Sequence, residues 1–490
     1  MGTHDGQKAL FSYEVNLDRR VRADHPLRAV RAAIDFSFVR QEVAHRYGYN
    51  GQVSVDPEVI LKLMFVLFLD NVKSERELMR MLPERLDYLW FLGFGLDDEI
   101  PDHSVLSKAR ARWGPAIFES LFVRTVQQCV AAGLVDGAKL HLDGSLINAH
   151  ASRDSVVRAA PELITALKRA YQVEERKLEG NLGDPTYQPV NATLVSTTDP
   201  DAPCVRHNKQ GGTGDSRPRY KQHRAVDDRG GVVTAVVTTP GDVPEPGQSV
   251  ALVEQHERNT GQTAGTVVAD RQYGSAENYR QLQTRGLATH IAPCRPDRGE
   301  ADGIFPRERF QYDEARDVYV CPAQQTLHPR RFNLRRQAYE YAPRKGVCAH
   351  CALRSRCTRG QQGRTLLRHH RHELIEQAKA QGLSPQARRD RIRRRYLMEG
   401  SFAQAANCHG FKRARWRRLW RQQIQDWLIA ACQNVKILTR TLRPGPRAAP
   451  AQSATGRAQP RDGGLRAICS LLRDSCWLAA PTLHASPSLS

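Results

Sequence analysis

KLHLDGSLINAHAS, residues 139–152, sets an acid at what reads as the end of a strand. Leu140, His141, Leu142 and Asp143 alternate apolar and polar, the period of a half-buried strand, and Gly144 then permits a tight turn at the carboxylate. A lone acid at a strand end is commonplace, so its meaning depends on others converging there. Asp270, in GTVVADRQYGS, follows a short apolar run at Val267 and Val268 and precedes a turn-prone segment. Glu399, in RRRYLMEGSF, lies in a helical pattern. Taken singly, each acid is better explained as a cap or a surface ion-pair partner. Taken together they lie far apart in sequence, and only a folded core could bring them to one place.

Two Asp on strands and one Glu on a later helix resemble the arrangement in the DDE transposases of bacterial insertion sequences. DGSLINAHAS resembles that family's first-Asp motif, STTDPDAPCVR followed by RYKQHRAVD its second strand region, and ADRQYGSAENY its second-Asp motif. MEGSFAQAANCHGFKRARWRRLWRQQIQDWLIAACQNVKIL, from Met398, resembles its third-acid helix and closing helix. Four ordered motifs are far more specific than any one alone, and the resemblance runs from about residue 20 to 440. It implies an α/β fold: a helical N-terminal DNA-binding domain at 1–135, then a ribonuclease H-like mixed-sheet catalytic core at 136–440 with a Cys-rich insertion at 293–371.

The same resemblance implies a chemistry. Mg²⁺ or Mn²⁺ prefers oxygen ligands, and two such ions ~3.5 to 4 Å apart stabilise both the attacking and the leaving oxygen of an in-line phosphoryl displacement. Asp143 would bridge the ions, with Asp270 and Glu399 each completing one. Water would free a 3′-hydroxyl at the element end, and that hydroxyl would attack target DNA. The implied partners are double-stranded DNA, as terminal inverted repeats and as target, and further copies of the chain assembled on it. One departure stands out. Many relatives carry Lys or Arg seven residues after the Glu, where this chain has Ala406. Arg395, four before the Glu, keeps the family's preceding basic position, and Lys412 or Arg413 are candidate substitutes downstream.

Bulk composition is compatible with that reading. The 490 residues are 40% hydrophobic, ample for a large core. Lys and Arg number 73 against 52 Asp and Glu, a formal net charge of +21, which favours a polyanionic partner over a solvated basic surface only at even odds. The first residues, MGTHDGQKALFSYEVNL, lack a signal-peptide pattern, and the most apolar run, Val59 to Leu69, is interrupted by Lys62 and falls short of the ~20 residues that cross a bilayer. No membrane span is expected, and eleven Cys without a secretory signal suit a reducing compartment, the cytoplasm with its nucleoid.

From Asp56 to Ala132 the pattern is helical. Asp56 caps a helix with Pro57 in its first turn, Ser74 to Glu77 has the spacing of a capping box, and a further helix begins near Ser104. That helix carries Lys108, Arg110 and Arg112, candidate phosphate contacts whose bland alternative is a helical scaffold or dimerisation element. Within the core, Tyr220–Asp227 and 231–239 read as strands joined by DDRGG, a hairpin signal. A helix at 249–258, a strand at 266–270, a helix at 275–285 and a strand at 287–292 complete the order β, β, β, α, β, α, β. Lys221, His223 and Asp227 alternate onto one face, where phosphate contact and structural hydrogen bonding are equally plausible.

The insertion holds Cys321, Cys348, Cys351 and Cys357. Four thiolates satisfy tetrahedral Zn²⁺, and CAHC has the spacing of a zinc knuckle, while the looser second half leaves reduced, unligated thiols as the alternative. Val318–Val320 reads as a strand that pairs with 344–359 as a ribbon. Around Glu399 the chain is intensely basic, with Arg394 and Arg395 before it and Lys412 and Arg413 after it, as expected where a DNA backbone crosses a site. Trp420, Ile424, Trp427, Leu428, Ala431, Val435 and Leu438 form one helical stripe. Residues 441–490 turn to Pro, Ala, Gly and Ser, the composition of a disordered tail. Three functions fit: an active transposase, a ribonuclease H-like nuclease without strand transfer, and a non-catalytic or decayed DNA-binding relative.

Overall fold

The computed structural model describes residues 15–48, 54–158, 161–179, 194–207, 215–294, 303–334 and 336–441. The tail expected at 441–490 lies, but for Thr441, outside them. The chain folds as two compact units, Met1–Gly265 with Arg394–Ser490, and Thr266–Arg393.

In the first unit the expected helices form with their expected caps. Helix α1 (Pro57–Leu69) starts where the Asp56 carboxylate accepts the Glu58 N–H at 2.9 Å, with Pro57 supplying a pre-set φ in the first turn. Its residues from Leu63 to Leu69 are all buried, so it is a core helix apolar on every side. Helix α2 (Glu75–Met81) is capped by Ser74, which accepts from the Glu77 N–H at 3.1 Å. The reciprocal half of a capping box is missing because the Glu77 carboxylate pairs instead with Arg80. Helices α3 (Ser104–Trp113) and α4 (Ala116–Ala131) follow, and Gly133 at φ 71° ends the segment.

Strand β1 (Lys139–Asn148) runs straight through Asp143 and Gly144. The expected turn at Gly144 does not occur, because a ladder to β5 continues unbroken from Leu140↔Asp227 to Asn148↔Arg219. After the short pair β2 (Val156–Arg158) and β3 (Leu194–Ser196), with helix α5 (Pro161–Glu179) between them, strand β4 (Cys204–His207) joins the first residues of β5 (Asp215–Asp227). Strand β5 then forms the expected hairpin with β6 (Val233–Pro240). Helix α6 (Ser249–Thr260) leads out of it.

The second unit opens with β7 (Thr266–Val268), helix α7 (Ala276–Thr284) capped by Ser275, and β8 (Ala288–Thr289), parallel to β7. The order β1, β5, β6, α6, β7, α7, β8 is the one read from the sequence. An antiparallel sheet of five strands follows: β9 (Gln311–Asp313), β10 (Val318–Val320), β11 (Thr326–Asn333), β12 (Ala338–Ala342) and β13 (Leu366–His369). This corrects the expected ribbon, since β10 pairs with β9 and β11, while 344–359 forms turns and a four-residue helix. Helix α8 (His372–Leu383) closes the unit.

Helix α9 (Pro385–His409) carries the chain back into the first unit, and α10 (Leu419–Thr441) ends the described chain. Gly410 between them is required twice over: its φ is +67°, and a Cβ there would sit 2.5 Å from Asn71 Oδ1. The helices α1–α4, the strands β5 and β6, and both α9 and α10 contribute to one apolar core. The predicted stripe on α10 is buried at Ile424, Trp427, Leu428, Ala431, Val435 and Leu438. So are Gln422, Gln425, Asp426, Gln433 and Asn434. Asn434 receives the Val233 N–H and donates to the Val233 carbonyl, both at 2.9 Å, and Gln423 receives the Thr238 N–H at 2.7 Å. Gln255 and Asn259 of α6 do the same for Val236 N–H and Thr234 C=O. Side-chain amides thus satisfy the buried outer edge of β6, where no further strand is needed.

Arg110, expected at a DNA surface, is turned inward: it is 4% exposed, ion-paired to Glu75 and stacked 3.9 Å from the centre of the Trp416 ring. Lys108 and Arg112, one turn apart on the outer side of α3, are exposed. Arg110→Met should therefore lower stability by roughly 3 kcal/mol, the scale for stranding one member of a buried pair. Urea unfolding of the variant checks this, and a loss under about 1 kcal/mol would place the pair among surface bridges.

Candidate active site

Asp143 lies half-buried in the middle of β1, with Arg224 of β5 as its cross-strand partner. Arg224 has no exposure. Its guanidinium donates to Gln222 Oε1 at 2.8 Å, Ser401 Oγ of α9 at 2.8 Å and Gln433 Oε1 of α10 at 3.1 Å, and it stacks on Phe402 at 4.1 Å. Burial lowers its pKa to about 9, opposed by the charges of Asp426 and Asp143. Burial likewise raises Asp426 to about 7, opposed by hydrogen bonds from Thr238 and Gln422 and by the Arg224 charge.

Arg394 of α9 makes a direct ion pair with Asp143, Nη1 to Oδ2 at 3.0 Å. The helix presents it on the face that also carries Met398, Ser401, Phe402 and Ala405, the spacing of three and four that lines one side of a helix. Glu399, five residues on, is rotated about 140° from Arg394 and is exposed. Lys412, in the loop between α9 and α10, donates to Ser145 Oγ at 2.7 Å. That loop lies along the end of β1, where Asn148 N–H donates to the Lys412 carbonyl and Ala414 N–H to the Asn148 carbonyl. Burial of the Lys412 ammonium and the Arg224 charge lower its pKa, while Asp143 raises it.

A second acid stands beside Asp143 in the same unit, and the sequence reading missed it. Glu245 follows Pro244 in the short turn between β6 and α6, and a carboxylate oxygen of each lies within 4.8 Å of the other. Lys221 is held between the Val243 carbonyl, at 3.0 Å, and Glu245, at 3.7 Å. Gly144 leaves room for this approach: a Cβ there would meet Glu245 Cδ and Oε1 at 3.0 Å. Two ionised carboxylates so close repel by on the order of 3 kcal/mol at an effective dielectric of about 20. Arg394 on one and Lys221 on the other offset that cost. The local signal was only an acid in the turn after the apolar run of β6, and Asp242 there gives the same one.

In the second unit Asp270 caps the single turn after β7, accepting the Gln272 N–H at 2.8 Å. His223 and Asp227, weighed as phosphate contacts, are structural. His223 is buried with Nε2 on Thr239 Oγ1 at 2.9 Å, and Asp227 accepts the N–H groups of Gly137 and Arg229. Arg395 and Arg413 are exposed residues of the first unit, and Lys412 is exposed along its length while its ammonium is drawn in against Ser145.

Cys321, Cys348, Cys351 and Cys357 line one pocket of the second unit, beside an apolar cluster of Phe305, Phe310, Tyr319, Leu327, Tyr341 and Leu366. Gln325 N–H points at Cys321 Sγ at 3.4 Å, and a Cβ on Gly363 would be 3.0 Å from Cys348 Sγ. Burial raises the Cys357 pKa, Arg364 lowers it, and the three other cysteines raise it again. Four thiols lining one pocket are a donor set suited to a soft divalent cation.

A family model described as a transposase DDE domain matches residues 190–435, half of the chain, and one described as a transposase domain (DUF772) matches residues 15–112. The chain belongs to the DDE transposase family. It is accordingly an enzyme of the polynucleotidyl transferase and nuclease class. The DDE match takes in Lys221, Arg224, Glu245, Asp270 and Glu399, while Asp143 lies between the two matched segments. Among solved structures, a synaptic complex of the piggyBac transposase with hairpin DNA is similar at 10% identity over 93% of this chain and 86% of that chain, with a TM-score of 0.25. No curated protein matches this transposase. Among the described residues no helix is long and apolar enough to cross a membrane.

Burial, helped by the Lys221 charge, pushes the His223 pKa down to about 3. An unfolded His binds its proton near 6.5, so between about 6.5 and 3 only the unfolded chain takes it up. Stability that His223 contributes is fully present above about 6.5 and is lost as pH falls through that window. His223→Gln should flatten the acid limb of a stability–pH profile by about 1.4 kcal/mol per pH unit, one proton's worth. An unchanged slope would show that His223 is accessible to protons in the folded state.

Proposed function

We propose that this transposase binds the ends of a mobile element and carries out divalent-metal-dependent strand cleavage and strand transfer with Asp143, Asp270 and Glu399. The observation that carries this reading is the clamp on Asp143: a carboxylate fixed by the β1–β5 ladder is paired with Arg394 of α9, and Glu399 stands on another face of that same helix. The ordered motifs around all three acids support the same assignment. So does the chemistry of the donors, since carboxylates are the hard oxygen ligands that Mg²⁺ or Mn²⁺ takes.

Bound there, the ions would supply charge for in-line displacement at phosphorus. The chain supplies the rest. Asp143 is oriented before DNA arrives, because its strand cannot twist without breaking the ladder. Arg395 and Arg413 present exposed cations to phosphates, Lys412 would add one on leaving Ser145, and Lys108 and Arg112 stand on the outer side of α3. The loop that carries Lys412 and Arg413 also holds Trp416, which meets Phe68 of α1 edge to face, and Arg415, which bonds Asn71 Oδ1 at 3.0 Å. A DNA contact at the N-terminal helices is therefore mechanically linked to β1. In this reading the protein works as an oligomer on terminal inverted repeats and target DNA, within the nucleoid. The four cysteines hold one structural Zn²⁺, and a ribonuclease H-like description applies to the catalytic strands.

Asp143→Asn, Asp270→Asn and Glu399→Gln should each cut Mg²⁺-dependent nicking by roughly 10³-fold, the several kcal/mol that metal positioning supplies, while binding to duplex DNA stays near wild type. Neutralising Arg395 and Arg413 should weaken binding and reduce its salt slope by about 0.9 per charge. Nicking and salt-titrated binding, measured on the same preparations, separate the two effects. Nicking that survives Asp143→Asn would remove this acid from the site. Purified protein should also carry about one Zn²⁺ per chain, lost in Cys348→Ser. Folded wild-type protein free of zinc would leave the cysteines as thiols.

A further inference from the structure

The geometry points to Glu245 as a further acid of the metal centre, acting together with Asp143 and resting on the metal-dependent reading above. Three observations meet at this residue. Its carboxylate approaches that of Asp143 to within 4.8 Å, from a turn on a different element. The approach is built in, because Gly144 beside Asp143 has no side chain and even a methyl group there would press on the Glu245 carboxylate at 3.0 Å. And each carboxylate already has its own cation, Arg394 on Asp143 and Lys221 on Glu245, with Lys221 fixed from behind by the Val243 carbonyl.

A single structural salt bridge between Glu245 and Lys221 accounts for the third observation but not for the first two. Bringing two carboxylates together is unfavourable unless positive charge concentrates between them. The Lys221 ammonium and the Arg394 guanidinium supply part of it in the protein alone, and a divalent ion of hard character supplies more. Glu245 adds one oxygen donor to the three expected from the family's pattern. Because Glu245 stands at the mouth of the β6–α6 turn, that donor is held by Pro244 before it and α6 after it, a more rigid mounting than a loop side chain.

Binding of Mn²⁺ to the full-length protein, followed by calorimetry and by the electron paramagnetic resonance of free Mn²⁺, tests this without relying on turnover. Wild type, Asp143→Asn, Glu245→Gln and Gly144→Ala are compared, with thermal unfolding of each to show that it folds. Glu245→Gln keeps the side chain's length and can still accept from Lys221. Should it fail to fold, Glu245→Asp, which retracts the carboxylate by one methylene, replaces it. The expected result is Mn²⁺ affinity at least about tenfold weaker in both Glu245 and Asp143 variants, weaker in Gly144→Ala, and a matching rise in the Mg²⁺ concentration for half-maximal nicking. If Asp143→Asn loses Mn²⁺ while Glu245→Gln binds as wild type does, Glu245 is only the partner of Lys221 and this inference is overturned, with the proposed function intact. If neither substitution changes Mn²⁺ binding, the metal-dependent reading of this site falls with it.

Discussion

A guanidinium without exposure to water governs this architecture. Arg224 sits opposite Asp143 on the neighbouring strand, and its donors reach one residue of α9 and one of α10. A buried cation is tolerable only with hydrogen bonds on its nitrogens and negative charge nearby. Gln222, Ser401 and Gln433 provide the first, Asp143 and Asp426 the second. The requirement works in both directions: the charge that helps keep Arg224 in place belongs to the same carboxylate to which the proposed function assigns the metal. Two strands and two helices are thereby fixed around Asp143 before any ligand binds.

The edge of β6 is the complementary constraint. A buried strand edge normally needs another strand, but here amides from α6 and α10 take its N–H and C=O groups one by one. That arrangement lets a 23-residue helix, Leu419–Thr441, pack across the sheet while its preceding loop lies along β1. The loop in turn grips α1 through Trp416 and Arg415, and Trp416 Nε1 reaches Glu75, the partner of the inward-facing Arg110. Basic residues that look alike in sequence are divided by this geometry into those that hold the protein together, such as Arg110, Arg224 and Arg415, and those that stand exposed, such as Lys108, Arg112 and Arg413.

Local signals carried much of this into the sequence. The caps at Asp56 and Ser74, the hairpin after Asp227 and the stripe on α10 depend on near neighbours and on periodicity, and all are found in place. What was not legible depends on partners distant in the chain. Gly144 reads as a turn because turns are what glycine most often signals, yet its value here is the space it leaves for Glu245, a hundred positions on. Arg110 reads as surface because a basic residue usually is, and only Glu75 and Trp416 reveal it as core. The glutamines and asparagines of α10 break its apolar pattern and would have argued against burial, since the strand edge they satisfy belongs to another element. The conformation at Asp143 was not legible either, because the length of β5 decides where β1 stops.

The central claim is that Asp143 is a direct ligand of the catalytic metal, and exchanging its oxygen for sulfur tests it most directly. Asp143→Cys replaces a hard donor with a softer thiolate, which Mg²⁺ accepts poorly and Mn²⁺ accepts better. Nicking of duplex DNA by this variant would be measured in each metal against wild type. The account predicts activity lost in Mg²⁺ and substantially restored in Mn²⁺. Equal loss in both metals at normal DNA affinity, or retained activity in Mg²⁺, would contradict it.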